Sequence, residues 1–222
     1  MEKERHVLVV FPHPDDEAFG VSGTIMKYID AGVPVTYACL TFGDMGRSLG
    51  YPPFATRESL HDIRKKEVEK SAEIMKLTDL RLLGYRDKTL EFEPPGHLTS
   101  VMQDLIGELN PSTIISFYPG YSVHPDHEAT ADAVVDAVTE MNTADRPKLH
   151  LVAFDKNTLD DLGEPDIIND ITGYEDRKEQ VMAAHISQTG PLLKRLAAET
   201  VDGKETREAY LKLEQFYSYD IN

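Results

Sequence analysis

Two short stretches hold residue types that can do chemistry together: "HPDD" at 13–16 and "HPDH" at 124–127. In each, proline follows a histidine, and a second polar ligand type stands three residues after that histidine. Proline stiffens a turn, and residues i and i+3 in a turn entering a helix can face the same way. His13 and Asp16 from the first turn, with His127 from the second, can therefore offer three nitrogen and oxygen ligands to one ion. Three protein ligands plus a water is the pattern of catalytic zinc. The first turn runs on into Glu17, so Asp15, Asp16 and Glu17 form a row of acids just after the apolar run "VLVVF". Such acids can also do no more than cap a helix, where negative charge is favoured. His124 and His127 can equally lie exposed at a helix start.

The elements that must position these turns follow from the apolar pattern. Residues 7–11, 35–41, 80–83, 113–118 and 149–154 read as short buried strands, apolar throughout as in a sheet covered on both faces. Helical segments fall between and after them, at 17–30, 57–77, 98–109, 127–141, 175–187, about 190–199 and 204–217. Alternating strands and helices predict an α/β fold: a single-domain, Rossmann-like, doubly wound and mostly parallel sheet flanked by helices, over 1–222, with a helical C-terminal segment from about 175. Ligands of such sheets sit at the carboxyl ends of the strands. "PHPDDE", "FGDMGRSLG", "GYRD" and "YPGYSVHPDH" follow the first four strands, so the most polar loops share one edge.

Composition narrows the partners. The 222 residues carry a net charge of −16, which argues against nucleic acid and anionic membranes as partners. An acidic small substrate needs only a local basic pocket. Cys39 is the sole cysteine, which fits a reducing, cytoplasmic setting and an inert buried thiol. The first apolar run is too short for a signal peptide core, and no segment approaches a membrane span. "GRSLG" at 46–50 matches G-x-S-x-G formally, but it lacks the strand before and the helix after that a nucleophile elbow needs.

The string "HPDDE" after an apolar strand, with "HPDH" far downstream, resembles the LmbE-like, or PIG-L-like, zinc-dependent N-deacetylases. The resemblance extends through "TFGDMG", Arg64 and Glu67 in "IRKKE", Asp87 in "GYRD" and "KEQVMAAHISQ" near the end. The pattern is most similar to the bacillithiol-pathway branch, which acts on N-acetylglucosaminyl malate. This resemblance implies a zinc-dependent hydrolase releasing acetate from an amino-sugar conjugate, with one Zn2+ per chain on His13, Asp16 and His127. Iron(II), cobalt or manganese also suits such ligands. It implies that Asp15 is the general base, that His124 stabilises the oxyanion, and that Asp126 orients His124 and favours its charged form.

Arg64 and Asp87 resemble substrate-contacting residues; the plainer readings are a surface arginine paired with Glu67 and a turn aspartate. Tyr121 is a candidate oxyanion donor, Tyr118 competes for that place, and both can be strand-edge aromatics. Arg47 can hold a malate carboxylate bidentately or lie exposed on its loop. His185 and Gln188 suit packing or a homo-oligomer contact. Two other functions stay open: an amidase that removes a larger acyl group from the same nitrogen, and a non-catalytic metal- or sugar-binding protein. Asp15 counts against the latter, since binding alone needs no base beside a metal.

Overall fold

The computed structural model describes residues 4–221 and places the predicted strands in one sheet. In chain order these are β1 (Val7–Phe11), β2 (Val35–Thr41), β3 (Asp79–Tyr85), β4 (Thr113–Phe117) and β5 (Lys148–Val152), joined by β6 (Ile167–Asp170) and β7 (Leu213–Ser218). The order across the sheet is β3-β2-β1-β4-β5-β7-β6. The first five strands run parallel, and β7 runs antiparallel between β5 and β6. Nine α-helices flank them among the described residues: α1 (Asp16–Gly20), α2 (Ser22–Asp30), α3 (Arg57–Met75), α4 (His97–Leu109), α5 (Pro125–Thr139), α6 (Thr158–Leu162), α7 (Glu175–Ala184), α8 (Ile186–Leu196) and α9 (Val201–Leu211). None is long and apolar enough to cross a membrane.

Strand side chains alternate between two cores, because successive residues point to opposite faces. Val7, Val9 and Phe11 pack with Tyr37, Ile115 and the apolar stripes of α2, α3 and α7. Leu8 and Val10 pack with Leu40, Ile114 and the stripes of α4 and α5. Each such side chain contributes about 2 kcal/mol when fully buried. The buried run of β1 therefore serves both layers. β1 also pairs with β2 on one side and β4 on the other, Val9 standing opposite both Tyr37 and Ile115. The strand order reverses there, opening the crevice where α/β sheets bind ligands.

The sequence reading includes neither β6 nor α6, and two of its helices take another form. The helix expected over 204–217 ends at Leu211, and residues 213–218 form β7. The fully buried Phe216 fills the gap between β5 and β6, and this tertiary demand outweighs helix propensity. The single helix expected over 17–30 is broken at Val21, whose φ of −143° and ψ of −1° leave the helical region. The break presents the N–H groups of Gly23 and Thr24 to the Glu214 carboxylate on β7, at 2.9 and 2.6 Å. Lys178 of α7 meets the same carboxylate at 2.5 Å, with both side chains buried. β7 is thereby fastened to two helices by charge-assisted bonds.

Candidate metal centre and active site

The first turn is held to the sheet by its backbone. The Pro12 carbonyl accepts from the Thr41 N–H and hydroxyl, each at 2.8 Å, so β2 fixes where β1 ends. The chain then turns at Asp15, whose φ of 114° is rare for a residue with a Cβ. This turn sends the three acids in three directions. Asp16 faces His13 and His127. Asp15 faces Arg64. Glu17 points beneath the turn and is fully buried. Asp15 is the N-cap of α1 but makes no side-chain capping bond.

The second turn starts α5, with Pro125 in the first helical position, where its missing N–H costs nothing. His127 Nδ1 donates to the Ser122 carbonyl at 2.9 Å, so its lone pair lies on Nε2. His13 Nε2 lies 3.1 Å from Asp87 Oδ1 and 3.2 Å from Asp126 Oδ2, so its proton is on that nitrogen and its lone pair on Nδ1. The two lone pairs face each other, His13 Nδ1 and His127 Nε2 standing 3.1 Å apart. Asp16 closes the triangle, with Oδ2 3.5 Å from His13 Nδ1 and Oδ1 3.5 Å from His127 Nε2. A tetrahedral ion with bonds near 2.0–2.1 Å needs ligand atoms about 3.3 Å apart. The spacing of the two nitrogens is close to that requirement and Asp16 offers one oxygen to each, so one carboxylate oxygen must turn in to bind an ion with both; only a cation or a shared proton can satisfy two opposed lone pairs and a carboxylate. Burial disfavours a charged His13, yet hydrogen bonds to Asp126, Asp16 and Asp87 outweigh it and hold the ring well above the ordinary imidazole range. The site thus selects positive charge.

Two sets of ligand atoms lie within 4.8 Å of one another among the described residues: His13 with His124 and His127, and His13 with Asp87 and Asp126. The carboxylates of the second set already accept backbone N–H groups. Asp87 takes that of Met45 at 2.7 Å, and Asp126 takes those of Lys88 at 2.7 Å and Leu90 at 3.1 Å. They are better suited to fixing His13 from behind than to holding an ion. Burial alone would raise Asp87, but His13, the Met45 N–H and Arg64 pull it down to about 2.

Arg64 is buried and spends its guanidinium on the loop: Nη1 on the Gly43 carbonyl at 2.7 Å, Nη2 on the Pro14 carbonyl and on Asp15 Oδ1 at 3.1 Å. A Cβ on Gly43 would come within 2.0 Å of that Nη1, so glycine is required while the arginine stays tied there. Glu67 is not its partner; it accepts from the Ser187 N–H and hydroxyl. Burial, partly offset by Arg64 and reinforced by Asp16, raises the Asp15 carboxyl to about 6.

These groups line a cavity of about 1060 Å³ that holds His13, Asp15, Asp16, Arg64, Asp87, His124 and His127, together with Arg47. Two residues of the sequence reading sit otherwise than expected. Tyr121 does not line the cavity; its hydroxyl donates to Asp161 at 3.3 Å. The Asp126 carboxylate faces His13 rather than His124, and only its backbone N–H meets His124, donating to Nδ1 at 3.1 Å. Burial and the neighbouring His13 and His127 lower the His124 pKa, and Asp126 offsets this only in part. Its neutral form therefore carries the proton on Nε2.

Some cavity residues had no signal in the sequence. Phe117 stacks on the His127 ring, with centroids 4.2 Å apart and planes 18° off parallel. Lys88 lines the cavity beside Asp87, and its left-handed φ of 63° is the one clue to a special place. Neither Lys88 nor Arg47 makes a side-chain hydrogen bond or ion pair among the described residues.

Comparison with known proteins agrees with this geometry. Residues 8–138 match the PIG-L family, described as GlcNAc-PI de-N-acetylase. The chain is 49% identical over 219 residues to a Bacillus anthracis protein named "Probable N-acetyl-alpha-D-glucosaminyl L-malate deacetylase 2", covering 99% of this chain and 97% of that one. It is 41% identical to a Bacillus subtilis protein of the same name, covering 99% of each. Among solved structures it resembles the N,N'-diacetylchitobiose deacetylase of Pyrococcus horikoshii, with a TM-score of 0.68 and 26% identity over 97% of this chain and 84% of that one. With its two histidine turns at one sheet edge and a family match that spans both, the chain belongs to the PIG-L family.

Proposed function

We propose that this chain is a metal-dependent N-deacetylase that hydrolyses the acetamide of N-acetylglucosaminyl L-malate, giving glucosaminyl malate and acetate. The observation that carries the reading is the inward-facing triangle of His13 Nδ1, Asp16 and His127 Nε2, with Asp15 beside it and free of it. A divalent ion held by those three residues supplies a Lewis acid for water and for the acetamide carbonyl. Two histidines and one carboxylate suit zinc, and iron(II) is the nearest substitute.

The chain's own groups do the remaining work. Asp15 accepts a proton from the attacking water and returns it to the departing nitrogen. Burial raises its carboxyl to about 6 before any ion is bound, and a bound cation lowers it from there, so it is ionised and able to accept a proton at neutral pH. Arg64 steadies the Asp15 carboxylate through one oxygen and leaves the other for the proton. His124 donates from Nε2 to the developing oxyanion, its Nδ1 being engaged by the Asp126 N–H. Arg47 and Lys88 line the same cavity as cations with no side-chain partner among the described residues, complementary to the two carboxylates of malate. The sole cysteine, Cys39, is buried and free, which supports a reducing, cytoplasmic setting.

One observation favours the conjugate amidase as the second reading. Phe19, Phe117, Val152, Phe154 and Tyr210 form an apolar side of the cavity, larger than an acetyl methyl needs. Turnover of N-acetylglucosaminyl malate by protein purified without chelator tests the first reading, with acetate and primary amine both counted. Equal release of the two supports it. No release from metal-loaded protein overturns it, and faster release from substrates with larger acyl groups favours the amidase.

A further inference from the structure

Beneath the candidate site lies a buried polar cluster that the proposed chemistry does not use. Glu17, Ser71, Tyr37 and His185 are all fully buried. The Glu17 carboxylate gathers four donors. Oε1 accepts from Ser71 Oγ and His185 Nε2, each at 2.6 Å. Oε2 accepts from the Tyr37 hydroxyl at 3.2 Å and from the backbone N–H of Asp15 at 3.0 Å. Burial raises the Glu17 pKa, but the His185 charge and these hydrogen bonds reverse that and hold it ionised. The partners come from three elements: β2 gives Tyr37, α3 gives Ser71, and the residue between α7 and α8 gives His185. A buried ion pair is weak evidence for stability, because apolar residues of equal volume often do as well. Its presence here calls for another reason.

The reason lies in the one backbone group that Glu17 holds. Asp15 keeps a left-handed φ of 114°, which costs a residue with a Cβ on the order of 1–3 kcal/mol and persists only where surroundings enforce it. Resting on the reading of Asp15 as the base, we propose that Glu17, braced by His185 and Ser71, is a positioning residue that fixes the Asp15 turn and so aims its carboxylate. Asp16, one residue on, is held by a different bond, accepting the His13 N–H at 2.8 Å. The Tyr37 hydroxyl also reaches the His13 carbonyl at 3.2 Å, but the His13 ring is held separately by Asp87 and Asp126. Release of Glu17 therefore misdirects the base and leaves the side chains of the metal ligands in place.

Two substitutions separate position from charge. Glu17→Gln keeps the length and an acceptor oxygen for the Asp15 N–H but has no charge. Glu17→Asp keeps the charge but is one methylene short of that N–H. Positioning predicts that kcat on N-acetylglucosaminyl malate falls about 100-fold in the Asp variant and no more than about 10-fold in the Gln variant. KM stays within about twofold and one zinc per chain is retained in both, because only the base has moved. The reverse order, or wild-type kcat in both, overturns the proposal. An inactive wild type overturns the functional reading instead, so the two failures are distinct. Should the Asp variant not fold, amide hydrogen exchange on the wild type decides. A slowly exchanging Asp15 N–H supports the bond to Glu17, and exchange at the rate of an exposed loop overturns it.

Discussion

Asp126→Asn removes the charge behind His13 while keeping the side chain's size. In the structure this carboxylate is fully buried and accepts three N–H groups, from His13 Nε2 at 3.2 Å, Lys88 at 2.7 Å and Leu90 at 3.1 Å. A carboxylate on the outer nitrogen of a ligating imidazole fixes the tautomer and raises its basicity, and losing it costs about 10–100-fold in metal affinity. Asp87 Oδ1 lies 3.1 Å from the same nitrogen, so it can take over when Asp126 is neutralised. Each single variant, Asp87→Asn or Asp126→Asn, should therefore lose about 10-fold in zinc affinity, near 1.4 kcal/mol. The double variant should lose more than the product of the two, since no acceptor then stands in for the other. Asparagine also has one acceptor oxygen where aspartate has two. One of the buried N–H groups of Lys88 and Leu90 then loses its partner, lowering metal-free stability by about 1–3 kcal/mol. Competition with a chromophoric chelator gives the affinities, and thermal melts of metal-free protein give the stability. A double variant that binds zinc as tightly as the wild type would refute the assignment of an outward Nε2–H and an inward Nδ1 lone pair.

Other expectations follow from the same distances and charges. Asp15 acts only when ionised and its carboxyl is raised to about 6, so kcat/KM falls as pH drops through that region; a bound cation can move this limb only to lower pH. The same raised pKa means that the folded state gains from a protonated Asp15, a gain present below the ordinary aspartate value of 3.8 and lost as pH rises through about 6. Metal-free Asp15→Asn should accordingly melt with the wild type at acidic pH and exceed it above neutrality by on the order of 2 kcal/mol. Arg47→Ala and Lys88→Ala should each raise KM for the malate conjugate about 10-fold with kcat preserved, and leave an uncharged N-acetylglucosaminide unaffected. Tyr121→Phe should keep kcat within about twofold, whereas a missing oxyanion donor costs 100-fold or more.

The parallel sheet was legible because β1, β2 and β4 are buried on both faces, and a continuous apolar run such as "VLVVF" announces that. The edge strands β6 and β7 were not. "IIND" and "LEQFYS" are half-polar, and β7 contains a glutamate that makes sense only once Lys178 is seen opposite it. In the site, the grouping of His13, Asp16 and His127 could be read from two matching turns on adjacent strand ends. Which way Asp126 points could not, since that depends on the Lys88 and Leu90 amides, a loop apart. The three consecutive acids show the same limit. Their types were plain, but their separate tasks follow from one left-handed turn at Asp15, where aspartate is only a weak signal of a positive φ and its two acidic neighbours offer no contrast. His185 looked like packing, and only the fold brings it within 2.6 Å of Glu17.

The most direct measurement is anomalous diffraction from crystals of protein purified without chelator. The expected result is one divalent ion per chain, bonded to His13 Nδ1, an Asp16 oxygen and His127 Nε2, with both Asp15 oxygens outside bonding distance. An ion bound on the other side of His13, between Asp87 and Asp126, would contradict it.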